Sequence, residues 1–248
     1  MKKTILFILL LLNINPIGSQ TFRQQFDKLN QQHFSGDFPS LVSNFNYKLH
    51  NDASSLMRAY IYMYKATLDM KYLNQFVIMS KRIMDRRDDN WATISDKVAG
   101  LPVTLDCSSG ADCTVDNTTS GILSTNMGWS RIDNVCGCIL APHFMESGTI
   151  TYPMAEFCLY VQEHAEIDWS SIRVPEEAKS SSGGVNTYGT DPILYYSQYA
   201  KWLEKKVNQT LSWEIDNHYS PYGDERFHAH DGGTGGQAIN MQGAIGRT

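Results

Sequence analysis

The densest run of chemically usable side chains is His218-Tyr219 … Arg226-Phe227-His228-Ala229-His230-Asp231. Three of the seven histidines fall within the thirteen residues from 218 to 230. In an extended chain alternate side chains share a face, so His228 and His230 point the same way. Such a pair suits proton transfer or a bound anion, or a divalent cation completed by Asp231 or His218. The competing reading is a set of hydrogen-bonded structural histidines. Gly232, Gly233, Gly235 and Gly236 lack the order of a phosphate-binding loop and instead permit close approach into the last segment. His143 closes the apolar run Ile139-Leu140-Ala141-Pro142 and enters a loop, a position suited to acid–base work. Tyr152 precedes Pro153, where a helix is expected to begin, and its phenol could share the same cleft. Trp129 and Arg131 lie in one loop: the indole offers a stacking face, the guanidinium a clamp for a carboxylate or sulfate. Packing and a surface ion pair are the plainer reading of those two.

Helices must position these groups. Leu56, Tyr60, Ile61, Tyr64 and Leu68 recur at helical spacing, as do Leu73, Phe76, Val77, Ser80, Ile83 and Met84. With Asp69-Met70-Lys71 as a short connection, they predict an αα-hairpin within a helical region from Thr21 to about Asp89. The cluster Lys81, Arg82, Arg86 and Arg87 reads as a solvated helix end favoured by the macrodipole. From about Asn90 to Pro142 helical periodicity disappears, and Gly, Ser, Thr, Asp and Asn dominate, which predicts a long irregular segment. Helix returns at Tyr152–Glu163, with Met154, Phe157, Cys158 and Val161 on one face. After a flexible joint at Ser180 to Gly184, a long helix is expected from about Pro192 to Trp213. It would bury Ile193, Tyr196, Ala200, Leu203 and Val207, with Pro192 in its first turn and Asp191 or Thr190 as cap. Ala238, Met241 and Ile245 begin a last apolar-periodic piece.

Lys2 and Lys3 precede an apolar run from Ile5 to Leu12, then Pro16, Gly18 and Ser19, the pattern of a secretory signal cleaved near Ser19–Gln20. Residues 20–248 then form a single mainly helical domain, secreted or periplasmic. The apolar run is too short to span a bilayer and no second one follows, so no membrane span is expected. The 248 residues are 42% hydrophobic and 19% charged, with a net charge of -5, which excludes a general nucleic-acid binder. Export permits disulfides. Cys107 and Cys113 flank a short loop and are the candidate pair, Cys158 sits on an apolar stripe as a core thiol, and Cys136-Gly-Cys138 is spaced too tightly for a usual zinc site.

Three stretches carry a family resemblance: Tyr72-Leu73 … Arg86-Arg87-Asp88-Asp89, Gly148 … Tyr152-Pro153 … Phe157, and Asn240-Met241-Gln242 … Gly246-Arg247. They resemble the α/α-toroid polysaccharide lyases exported by bacteria, the broad-specificity ulvan lyases among them. The resemblance implies helical hairpins in an incomplete toroid with long irregular loops, since a full ring uses more helices than the six or seven this pattern supplies. It implies an anionic, uronate-containing and optionally sulfated polysaccharide as partner. The polymer would be cut by β-elimination to unsaturated ends. That reaction needs a group to neutralise the substrate carboxylate, a base for the C5 proton and an acid for the leaving oxygen. His143, Tyr152, Arg131 and His228 are the catalytic candidates. Trp129, His218, Tyr219, Arg226, His230, Asn240 and Arg247 are the substrate-binding ones. No cofactor is firmly implied, and a divalent cation stays open. Two alternatives remain: a glycoside hydrolase using carboxylates among Asp133, Asp216 and Asp231, and a non-catalytic carbohydrate-binding protein.

Overall fold

Helical periodicity in the chain is realised as helix in the computed structural model, which describes residues 22–31, 52–90, 127–133, 139–142, 144–179 and 193–218. The chain divides into two units, Met1–Ser40 and Leu41–Thr248. The first contributes helix α1 (22–31), which carries exposed Phe22 and Leu29. The second holds α2 (Ser54–Thr67), α3 (Met70–Asp85), α4 (Phe144–Glu163), the short α5 (Glu176–Lys179) and α6 (Tyr196–His218). The described residues are mainly helical, and none of their helices is long and apolar enough to cross a membrane.

The expected αα-hairpin is α2–α3. Its turn is made by Leu68 at φ 55, whose backbone N–H donates to the Tyr64 carbonyl at 2.7 Å, while Asp69 accepts from the Lys71 N–H and caps α3. Leu68 therefore departs from the apolar stripe: it is 70% exposed, the left-handed residue of the turn rather than a core contact. The other ten stripe positions of α2 and α3 are buried.

α4 packs most extensively on α6, and α2 lies against both α3 and α4. Phe157 marks the junction, its ring stacked on Phe76 at 4.6 Å and 6.2 Å from both Tyr196 and Tyr199. The buried phenols of α6 are satisfied across the interface: Tyr196 donates to Asn74 at 2.7 Å and Tyr199 to the Val77 carbonyl at 3.2 Å. Cys158 is a buried free thiol that donates to the Ala200 carbonyl at 3.4 Å, a core role as its stripe position suggests.

Three boundaries differ from the sequence pattern. α4 begins at Phe144, not Tyr152, and carries Pro153 inside. Proline removes one ladder N–H, and the preceding turn is supported instead by Thr151 Oγ1, which donates to the Ser147 carbonyl at 2.7 Å. α6 runs from Tyr196 to His218 rather than from Pro192 to Trp213, because Gln198 Oε1 accepts from the N–H groups of Leu194 and Tyr195 and so sets the start. The segment read as irregular contains an antiparallel hairpin, β1 (Ser130–Asp133) with β2 (Ile139–Pro142), in the register Arg131↔Ala141 and Ile132↔Leu140.

The basic cluster at the end of α3 is a larger correction. Lys81 is buried in an ion pair with Asp85, and Arg87 is 1% exposed. The Arg87 guanidinium is held bidentately by Asp89 at 2.6 Å and reaches α6, donating to the Lys206 carbonyl at 3.0 Å and to Thr210 at 3.2 Å. Of the four basic residues expected in solvent, Lys81 and Arg87 are instead buried, and those two charges persist there because both are paired; Arg82 and Arg86 are half-buried.

Candidate functional site

Two concavities flank α6 and share Glu204 and Asn208. The first, of about 510 Å³, runs between α4 and α6 and is lined by Lys65, Tyr152, Glu156, Glu163 and Glu204, with Leu159, Val207 and Leu211 as apolar wall. Beside it, α2 and α4 interdigitate cations and rings. The guanidinium of Arg58 lies 4.9 Å from the Tyr152 ring centre and 5.6 Å from that of Tyr62, whose hydroxyl accepts its Nη2 hydrogen bond at 2.9 Å. Lys65 pairs with Glu156 at 3.0 Å and sits 5.2 Å from the Tyr160 ring centre. The hydrogen bond to Tyr62 pushes the Arg58 pKa up, against its partial burial. Burial raises the Tyr160 phenol, with Lys65 opposing it.

The second concavity, of about 640 Å³, opens on the outer face of α6, where Lys201, Lys205, Asn208, Gln209, Ser212, Trp213 and Asp216 join Met127. Trp213 stands against Gly128: a Cβ there would come within 3.4 Å of the indole Cζ3 and 2.8 Å of Glu214 Oε1, so only glycine permits this approach.

Of the residues singled out from sequence, Tyr152 is half-buried and lines the first groove, one face of α4 rather than a helix start. Trp129 offers no stacking face. Its indole is 1% exposed and donates to the Ile83 carbonyl at 2.9 Å, making it a core residue that ties the loop to α3. Arg131 lies in β1 opposite Ala141 and His218 ends α6, with both side chains outside the described residues. His143, Tyr219, Arg226, His228, His230, Asn240 and Arg247 lie outside the described residues, as do Asp231 and the cysteines Cys107, Cys113, Cys136 and Cys138. Asp216 lines the outer concavity of α6, and Asp133 is described only as β1 backbone. Among the described residues no three His, Cys, Asp or Glu side chains converge as metal ligands would.

Arg58, Lys65, Lys201, Lys205 and Trp213 were not singled out by sequence. Each sits on the polar face of a helix, where spacing alone carries no positional signal. Trp213, like Trp202, lies outside the buried 3.6-period stripe Leu203, Val207, Thr210 and Glu214 of α6, and a large aromatic off the core stripe is the one signal the sequence offers. In chemical terms the first groove pairs phenols with one ammonium group and carboxylates, and the second pairs an aromatic face with amides, ammonium groups and carboxylates. No family model, curated protein or solved structure gives a match to this chain.

Proposed function

We propose that the chain is a secreted polysaccharide lyase on an incomplete α/α toroid, cleaving a uronate-containing, optionally sulfated polymer by β-elimination in the α4–α6 groove. The observation that supports this reading is the placement of Tyr152 on the groove wall with the Arg58 guanidinium 4.9 Å from its ring centre and Lys65 lining the same groove. In the reaction the C5–H bond breaks and its electron pair forms the C4–C5 double bond. The C4–O bond breaks, and O4 leaves with a proton. Lys65, on the groove wall, neutralises the substrate carboxylate and makes the C5 proton more acidic, while Tyr152, its ring held by Arg58, takes that proton as phenolate and passes it to the departing O4.

The purified protein is tested on ulvan, alginate and a glycosaminoglycan by ultraviolet absorbance of the unsaturated uronate. Tyr152→Phe is expected to lower the rate by about 100-fold or more, the usual contribution of a positioned acid or base. A flat trace for the wild type on every polymer overturns the reading.

A second reading, glycoside hydrolysis, has one observation in its favour. Glu156, Glu163 and Glu204 all line the groove, and a pair of carboxylates is what a hydrolase needs. New reducing ends without absorbance would support it.

A further inference from the structure

Lys201, Lys205, Asn208 and Ser212 succeed one another at steps of four, three and four residues, which aligns their side chains in one row along α6. Trp213 and Gln209 stand beside that row, and all six line the outer concavity. Trp213 is half-buried, its ring edge backed by Gly128. Gln209 Oε1 accepts from Arg87 at 3.3 Å, which fixes the amide and leaves its NH2 group to donate outward. Lys201 and Lys205 are exposed, and among the described residues neither ammonium makes an ion pair.

We propose that this face of α6 is a non-catalytic binding site for a carboxylated oligosaccharide. A pyranose has an apolar C–H face that stacks on a half-wet indole, and its hydroxyls match the amides of Asn208 and Gln209 and the hydroxyl of Ser212. Lys201 and Lys205, one turn apart with Cβ atoms about 5–6 Å from each other, receive the carboxylates. Glu204 and Asp216 line the same concavity and offset the two lysines. That balance suits sugar units each carrying a single carboxylate charge among several hydroxyls, not units carrying a doubly charged phosphate. Because Glu204 and Asn208 also line the Tyr152 groove, a chain held here is delivered beside it. The ligand class rests on the anionic-polysaccharide reading above; the site itself requires neither β-elimination nor Tyr152.

Binding is measured by titration calorimetry on the full chain carrying Tyr152→Phe, so that no turnover interferes. The probes are tetragalacturonate and the neutral cellotetraose. Tetragalacturonate binds and cellotetraose binds at least about tenfold more weakly, while Trp213→Ala and the double variant Lys201→Gln/Lys205→Gln each weaken tetragalacturonate by about tenfold or more. Circular dichroism checks the fold. If Trp213→Ala fails to fold, the double lysine variant, altered only at exposed positions, decides. The site is overturned if tetragalacturonate does not bind, if both probes bind equally, or if the lysine variant binds as tightly as its parent. An unsaturated product formed without such binding removes this site alone. Binding retained beside a flat absorbance trace removes the lyase reading alone.

Discussion

The guanidinium of Arg87, two residues past the end of α3, donates to the backbone carbonyl of Lys206 in the middle of α6 at 3.0 Å. One side chain thus joins the α2–α3 hairpin to the helix that walls both concavities. The same guanidinium also holds Asp89 bidentately and orients Gln209. Arg87→Ala strands the Asp89 carboxylate and the α6 carbonyl, and is expected to cost about 3–5 kcal/mol, as breaking a buried pair does. Arg87→Lys keeps the charge and loses the fork, so it falls between wild type and alanine. Urea midpoints at constant m measure both, and an unchanged midpoint for Arg87→Ala would show that the network carries no stability.

That bond also marks where the sequence stops being informative. The stripes of α2, α3 and α6 were readable because a helix that packs on a core must repeat its apolar residues at its own period. Lys81 and Arg87 were not, because a run of basic residues looks alike whether it faces water or a partner such as Asp85, which only packing supplies. The start of α4 was hidden by Pro153, a residue that usually stands in a first turn and here sits inside a helix. Loop residues carry no periodicity, so the sequence leaves Trp129 between a sugar platform and packing, and packing is what α3, 46 residues away in the chain, supplies. In the candidate site, Tyr152 could be named from sequence while Arg58 could not: their approach depends on how α2 crosses α4.

The core placement of Trp129 has a direct test. Trp129→Phe removes an indole N–H that donates to the Ile83 carbonyl, which keeps its bond from the Arg86 N–H at 3.0 Å, so the lost hydrogen bond is expected to cost about 0.5–1.5 kcal/mol in urea. Its tetragalacturonate affinity should stay that of the parent. A loss of affinity without a loss of stability would return Trp129 to the ligand face.

Phe157 and Leu159 lie two residues apart on α4 and face opposite ways. Phe157 is fully buried against Phe76, Tyr196 and Tyr199, whereas Leu159 is 52% exposed. Phe157→Ala is expected to cost about 3–5 kcal/mol, the range for emptying an aromatic core position. Leu159→Ala should stay within about 0.5 kcal/mol. Comparable costs at the two sites would mean that the face of α4 assigned to the core is wrong.

Alkaline pH should weaken the fold through Cys158. Burial, chiefly, raises its thiol above the ordinary 9.0, with Glu204 adding to the effect. The unfolded chain therefore releases this proton near pH 9 while the folded chain keeps it. The native state then binds more protons, so stability is full below about pH 9 and falls as pH rises, by at most about 1.4 kcal/mol per pH unit for one group. Tyr196, raised by burial, adds the same sign from about pH 10 upward. Lys81 and Lys206, both lowered by burial, act in the opposite direction as their unfolded forms deprotonate near 10.5. The thiol is isolated by comparing wild type with Cys158→Ala in urea at a series of pH values. The variant should be less stable at neutral pH, because a buried thiol is lost. Its stability should then fall less steeply than that of wild type between pH 9 and pH 10, so the two curves converge. Parallel curves across that interval would mean that the Cys158 thiol titrates in the folded state as it does in the unfolded one.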